Sequence, residues 1–455
     1  MKMTSQQRSE MMLHAPVSRI IPRLAVPTIF SMLISTIYNM ADTFFVSQLG
    51  TSASGAVGVT FSAMSIIQAI AFTIGMGSGA NLSRALGAGK QEEAHRYCSV
   101  GFFTAVGMGV IVMILGNLNI DWLVRFLGAT ETIAPYAKDY ATYIFYAAPF
   151  MMGSFALNNL LRFQGLAFYG MLGITSGGIL NMILDPILIF GFNLGTAGAA
   201  IATAISQAVS FFILLLQCNL RKDTISISPR NFRPTLKMYG NIFYTGVPSL
   251  GRQGIASVST ILLNTAAGQH GDAAIAAMSI VSRFVMFINS TVIGFGQGFQ
   301  PVCSFNFGAG RYTRVRKAFW FCVKVSTVIL LVLGLGSFFF AEPIITVFRR
   351  NDPDVIRIGT LALQLQLITI PLWGFIVMSN MFTQSIGYGL RSTTISTARQ
   401  GIFLIPALLI FPPMLGLLGI QIAQPVADVL TFLMTFLIVS GVLRQLKSMP
   451  DKTEA

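Results

Sequence analysis

Leu86-Gly87-Ala88-Gly89-Lys90 occurs a second time in this chain as Phe307-Gly308-Ala309-Gly310-Arg311. The pair belongs to a longer repeat, because residues 27–96 return without a gap as residues 248–317, 221 positions later. Pro27 falls on Pro248, Gly50 on Gly271, Ala53 on Ala274, Gly75 on Gly296 and Gly77 on Gly298. Further along, Pro149, Asn158 and Gly165 match Pro371, Asn380 and Gly387, now 222 apart. One spacing held across most of both halves predicts two structurally equivalent lobes. In an apolar chain, two like lobes flank a central pathway and rock against each other.

Composition fixes the solvent. Of 455 residues, 54% are hydrophobic and only 10% charged, far from the roughly 25% charge of soluble domains. A mean hydropathy of +0.70 points to a chain that crosses a bilayer many times. The net charge of +14 is not spread evenly: 22 of the 30 Lys and Arg lie at the termini or in one alternating set of loops. That set comprises 84–96, the region around 162, 221–237, 311–317 and 391–399. The opposite loops hold Arg125, Lys138, Arg349, Arg350 and Arg357 among at least as many acids. This asymmetry places both termini in the cytoplasm. The basic charge is topological, and nucleic acid is not an expected partner. Residues 1–18 lack the apolar core and cleavage site of a signal peptide, so the first apolar segment is expected to stay as a span. Cys98, Cys218, Cys303 and Cys322 show no C-x-x-C spacing and read as small buried hydrophobes.

A hydrocarbon core of about 30 Å takes about 20 helical residues. Segments of that kind run near 20–46, 54–80, 97–118, 137–161, 168–191 and 195–218, then 239–268, 273–300, 318–341, 356–383, 393–413 and 416–442. Six spans per copy bring the second copy in with the orientation of the first, so the repeats are parallel. The expected fold is an all-α integral membrane protein of twelve transmembrane helices, in two six-helix bundles around a central cavity. The lobes are 1–218 and 239–455, joined by a polar cytoplasmic linker, 219–238, that carries Arg221, Lys222, Asp223, Arg230, Arg233 and Lys237. Prolines inside spans (Pro149, Pro186, Pro371, Pro406, Pro425) free a carbonyl one turn back and bend their helices.

Few charges are buried deep, and each costs at least about 2.5 kcal/mol at the bilayer centre. They are Asp42, Asp185, Arg252, Arg283 and Asp428, with Lys324 and Arg399 nearer helix ends. Asp42 shares a helix face with Tyr38 and Asn39, which precede it by four and three residues, and Asp185 shares one with Asn181. Pro186 leaves the carbonyl of Met182 without its usual donor. Two carboxylates, amide groups and a released carbonyl suit a hard cation such as Na⁺ or, equally, a proton. The second copy lacks this pattern: Asp42 falls opposite Leu263, and Asp185 near Ile405. Two roles stay open for Arg252, Arg283 and Asp428: a buried ion pair or triad, or the lining of a substrate cavity. Gln297 and Gln300, in Gly294-Phe-Gly-Gln-Gly-Phe-Gln300, and Gln253 beside Arg252 are candidates for the same lining. His14, His95 and His270 cluster with nothing, and Gly75-Met-Gly77-Ser-Gly79 sits inside a span, where a dinucleotide loop cannot form. With no Ser/His/Asp, H-E-x-x-H or P-loop pattern, neither an enzyme nor a cofactor is expected.

On these residues the chain resembles the multidrug and toxic compound extrusion (MATE) family over nearly its whole length, within the bacterial MepA/DinF-type branch. The likeness is carried by Pro27…Tyr38…Asp42, by Leu86-Gly-Ala-Gly-Lys90, and by Leu180-Asn-Met-Ile-Leu-Asp-Pro-Ile-Leu-Ile-Phe-Gly191 continuing through Gly198-Ala-Ala200 to Thr203. The resemblance implies an N-lobe site of Tyr38, Asp42, Asn181, Asp185 and Thr203. It also implies outward movement of amphipathic, often cationic compounds against inward H⁺ or Na⁺, by a single chain in the bacterial cytoplasmic membrane. Members of another branch place an acid in the seventh span two turns after its proline, where this chain has Ala256; a cation site in the C-lobe is not implied. The alternative is a flippase for lipid-linked precursors on the same plan, which would line its cavity with cations such as Arg252 and Arg283. Whether Arg252 pairs with Asp428 separates the two readings.

Overall fold

The computed structural model describes residues 4–220, 224–349 and 352–452. Arg221, Lys222 and Asp223 of the linker, and Arg350 of an opposite loop, lie outside them. Twelve long helices follow the twelve apolar segments. The N-terminal lobe has α1 (Val17–Ser47), α2 (Thr51–Gly87), α3 (Gln91–Leu118), α4 (Ala134–Phe163), α5 (Ala167–Gly191) and α6 (Gly195–Asn219). The C-terminal lobe has α7 (Leu236–Gly268), α8 (Asp272–Gly308), α9 (Tyr312–Phe339), α10 (Pro353–Ser385), α11 (Gly389–Leu415) and α12 (Leu417–Ser448). Eleven are long and apolar enough to span a membrane. The exception is α7, whose middle carries Arg252 and Gln253. Among the described residues there is no strand.

The helices stop where the chain meets polar surroundings and has residues that can turn it. Gly89 and Gly310, equivalent in the repeat, both take φ +75° in the turns after α2 and α8, a left-handed conformation that costs glycine little. Thr235 caps α7 by accepting from the Met238 N–H at 3.2 Å, and Asp352 caps α10 by accepting from the Val355 N–H at 3.2 Å. The repeat extends to features that periodicity did not reveal. Short helices Ile120–Phe126 and Ala341–Phe348 occupy matching places after α3 and α9. The π turns Ile187–Gly191 and Ala398–Phe403 lie in α5 and α11, next to Pro186 and shortly before Pro406 respectively.

Each lobe takes half of its first helix from the other. The first half of α1 (Ile20, Ile21, Leu24, Ala25) is buried in one core with Phe299, Val302 and Phe319 of α8 and α9, while its second half packs on α5. Likewise the first half of α7 (Met238, Ile242) is buried with Leu82, Tyr97 and Leu160 of the N-lobe, and its second half packs on α11. Pro27 and Pro248 lie within the crossing halves. The linker lies along the N-lobe, where Ile225 and Ile227 are buried and the Ile225 N–H donates to Gln164 Oε1 at 2.9 Å.

The lobes meet closely on the face that carries the basic loops. A methyl group added at Gly87 would stand 1.9 Å from the Phe305 carbonyl oxygen, and one at Gly308 2.0 Å from that of Arg84. Arg84 and Phe305 are themselves repeat equivalents, so a local two-fold axis passes between α2 and α8 here. Gly77 meets Ile242, and Gly246 meets Thr73, at 2.0 Å by the same measure. The contact extends to Thr36 and Ser290, whose hydroxyls are 3.0 Å apart. One and two turns beyond Ser290 on α8, Met286 and Arg283 are exposed. The seam ends there, and the central cavity expected from the sequence would lie beyond it, as a cleft between the lobes toward the opposite face.

Candidate functional site

Asp42 and Asp185 come together inside the N-lobe. Gly178 permits this: a methyl group there would lie 3.0 Å from the Tyr38 ring and 2.9 Å from Ile34, so α1 approaches α5 closely enough to turn Tyr38 and Asp42 inward. Asp42 is 8% exposed and Asp185 fully buried. Tyr140, from α4, donates its hydroxyl to Asp42 Oδ2 at 3.1 Å. Asn181 Nδ2 donates to Asp185 Oδ1 and to Thr203 Oγ1, each at 3.2 Å.

Three oxygens in this cluster have no donor: Asp42 Oδ1, Asp185 Oδ2 and Asn181 Oδ1. An unpaired acceptor in a dry interior loses its hydration without replacement, at about 1–3 kcal/mol and more for a charged group. Of the three, Asn181 borders a cavity of about 10 Å³ that is also lined by Tyr38, Thr203, Ser206 and Gln207. That is room for one water or one bare cation. Among the described residues no three His, Cys, Asp or Glu side chains converge on a metal position. The donors are two carboxylate oxygens, an amide oxygen and hydroxyls, which suit a proton or a small hard ion of low charge.

Of the residues expected here, Tyr38, Asp42, Asn181, Asp185 and Thr203 share the cluster. The sixth expected residue, Asn39, follows Tyr38 directly and donates its amide to the Ser35 carbonyl of its own helix at 2.7 Å. Tyr140 and Gln207 were not foreseen. The signal for Tyr140 was available in the repeat, where its counterpart is Ala362: a polar residue stands where the other copy is apolar.

The C-lobe carboxylate is of another kind. Asp428 is fully buried and accepts from Arg399 Nε at 2.8 Å, Trp373 Nε1 at 2.8 Å, Gln424 Nε2 at 2.9 Å and Thr369 Oγ1 at 3.0 Å. Arg399 also stacks over the Trp373 ring at 3.6 Å. The π stretch in α11 carries Arg399, which reaches Asp428 from there. The anticipated triad of Arg252, Arg283 and Asp428 does not form, because Arg399 and three neutral donors already satisfy the carboxylate.

Gln297 and Gln300 are sealed in the seam between the lobes, away from the cleft wall. Gln300 donates to Gln384 at 3.1 Å, and Gln384 donates to the Thr245 carbonyl at 2.9 Å and to Ser249 at 3.1 Å. Gln297 accepts from Arg162. Arg162 itself, read as a loop charge, is 2% exposed, because α4 continues past it to Phe163 and turns the guanidinium inward. Arg252 and Gln253 are half-buried, and Arg283 is exposed. The four cysteines are free and buried.

Known proteins agree with this architecture. The multidrug export protein MepA of Staphylococcus aureus (strain MSSA476) is 29% identical over 430 residues, covering 93% of this chain and 94% of that one. MepA of Staphylococcus haemolyticus (strain JCSC1435) is 28% identical over 418 residues, covering 91% and 92%. Among solved structures, the outward-facing conformation of a multidrug resistance MATE family transporter of the MOP superfamily superposes with a TM-score of 0.91. It is 26% identical, covering 96% of this chain and 98% of that one. The MatE family pattern matches residues 27–187 and again 248–410, beginning in each copy at the equivalent prolines Pro27 and Pro248. By this double match, and by the two-lobed helical fold that carries it, the chain belongs to the MATE family of membrane transporters.

Proposed function

We propose that this chain exports amphipathic, often cationic small molecules from a bacterial cell, driven by H⁺ or Na⁺ entering through the Asp42–Asp185 site. The observation that carries the reading is the set of donor-less oxygens on Asp42, Asp185 and Asn181, the last of which borders a cavity sized for one ion. The names of the curated relatives support drug export. With the basic face in the cytoplasm, the lobes are closed on the inside and the cleft faces out.

Helix α1 supplies the link between ion and cleft. Its second half holds Tyr38 and Asp42 against α5, and its first half lies in the core of the C-lobe. A cation entering the cluster neutralises the carboxylates and changes how α1 packs on α5. Through the Pro27 segment that change reaches the Gly294 and Gly298 contacts, where methyl groups would stand 2.6 Å from Ile29 and 2.3 Å from Ala25. Exchange requires only that ion and drug favour different states, and the coupling acts equally in both directions. A lipid-precursor flippase is the second reading. It gains from Arg252 being free of Asp428 but gives the acid cluster no role.

The test is ethidium efflux from proteoliposomes with the Na⁺ and pH gradients imposed one at a time. One gradient is expected to drive transport well above leak, and an Asp42→Asn protein to lose that drive while still inserting. Transport indifferent to both gradients ends the antiport reading.

A further inference from the structure

Three arginines stand at the cleft and its floor with no acid to pair with. Arg162 donates to Asn159 Oδ1 at 2.6 Å and to Gln297, both neutral, and its Nε has no acceptor at all. The helix that carries Gln297 is tied to α7 one turn further on, where Gln300 donates to Gln384 and Gln384 donates to Ser249. Arg252 follows Thr245 and Ser249 at helical spacing (i, i+4, i+7), so it continues the face of α7 that forms the seam. Where the lobes part, that face borders the cleft. Arg283 stands two turns above Ser290 on the face of α8 that meets α1, and is exposed. No carboxylate of the described residues lies within ion-pair distance of Arg162, Arg252 or Arg283.

A buried cation without a counter-ion is costly, and proteins that keep one pair it with a group of opposite charge. The chain puts its spare acids elsewhere. Asp428 is saturated by Arg399, and Asp42 and Asp185 lie within the N-lobe bundle. What enters the cleft can supply the missing counter-ion. We infer that Arg252, backed by Arg162 and with Arg283 above it, forms an anion-accepting subsite that holds the carboxylate of a zwitterionic or acidic amphiphile. The planar guanidinium of Arg252 matches a carboxylate with two parallel N–H donors. Lying between the lobes, such an anion is held only while the seam keeps Arg162 and Arg252 together. The inference rests on the export reading and adds a substrate class to it.

Two dyes that differ only in the charged group test this. Rhodamine 110 carries a free carboxylate, and rhodamine 123 is its methyl ester. Their binding to the purified full-length chain in detergent is followed by fluorescence polarisation with no ion gradient. Arg252→Gln is expected to weaken rhodamine 110 binding about tenfold, as loss of one charge-assisted contact implies, and to change rhodamine 123 binding less than about twofold. Equal loss for both dyes, or for neither, overturns the subsite, as does wild-type protein that binds neither or prefers the ester. Should Arg252→Gln not elute as a single species, Arg252→Lys decides. It keeps the charge and is expected to retain the preference for the carboxylate; a reversed preference overturns the inference. Because binding is read at equilibrium, a failure of ion coupling leaves this result intact, and a failure here leaves the gradient test standing.

Discussion

The buried carboxylates of the two lobes occupy related places and have opposite fates. Asp428 in α12 corresponds in the repeat to Gln207 in α6, and the glycine turns before those helices, Gly195 and Gly416, share positive φ values of +55° and +60°. Arg399 in α11 falls level with the Gly177–Gly178 pair of α5. In the C-lobe, Arg399 and Asp428 fill the position with an ion pair whose oxygens are all engaged. In the N-lobe Gly178 lets Tyr38 in, Gln207 borders a small cavity, and acids on neighbouring helices are left with free lone pairs. Satisfaction, rather than burial, separates a structural carboxylate from one arranged to take up a cation.

The sharpest break of this comparison is to neutralise both kinds of acid. Asp42→Asn and Asp185→Asn are each expected to reduce ethidium efflux to the level of cells without the transporter. Neither should lower the thermal stability of the purified protein by more than a few degrees, since no arginine depends on them. Asp428→Asn should do the reverse. Stranding Arg399 is expected to cost about 3–5 kcal/mol, seen as a large drop in melting temperature and in yield. Replacing the pair together (Asp428→Leu with Arg399→Met) should recover much of the loss. Unchanged stability in the Asp428→Asn protein would erase the distinction.

An intermediate effect is expected at the seam that both lobes share. In Gly87→Val the new methyl groups meet the Phe305 carbonyl, so the closed arrangement on the basic face should become rare. Cysteines introduced at Asn81 and Thr245, whose side chains approach to 3.4 Å, should cross-link severalfold less in that background. Equal cross-linking would show that the contact yields more easily than its geometry implies. The smallest effect belongs to Tyr140→Phe, which removes one hydrogen bond from Asp42. The ion concentration for half-maximal transport should shift about two- to twelvefold, in keeping with about 0.5–1.5 kcal/mol for such a bond, with the maximal rate largely kept.

Much of this was legible in the chain itself. The segments read from the sequence marked twelve long helices, eleven of them apolar enough to span, and the spacing of prolines and glycines set two parallel lobes, because backbone bends and close approaches depend on local residue type. The acids Asp42 and Asp185 stood out since a deep charge is rare enough to be noticed singly. Tyr140 and Gln207 did not, because a tyrosine or glutamine in a span is common and gains meaning only from what lies across from it. The pairing of Asp428 was misassigned for a similar reason. Sequence lists the cations available but not which of them the π turn in α11 brings within 2.8 Å.

What the sequence determined alone is the repeat, the number and direction of the helices, and the basic face, each a consequence of local composition and a bilayer of fixed thickness. Tertiary structure decided the rest. It exchanged the first halves of α1 and α7 between the lobes, closed the seam on the basic face through glycines, and buried Arg162 against Gln297. It also saturated one lobe's acid while leaving the other's oxygens free. These depend on contacts between different helices, where the distance and angle of approach, and not residue identity, determine which polar groups are satisfied.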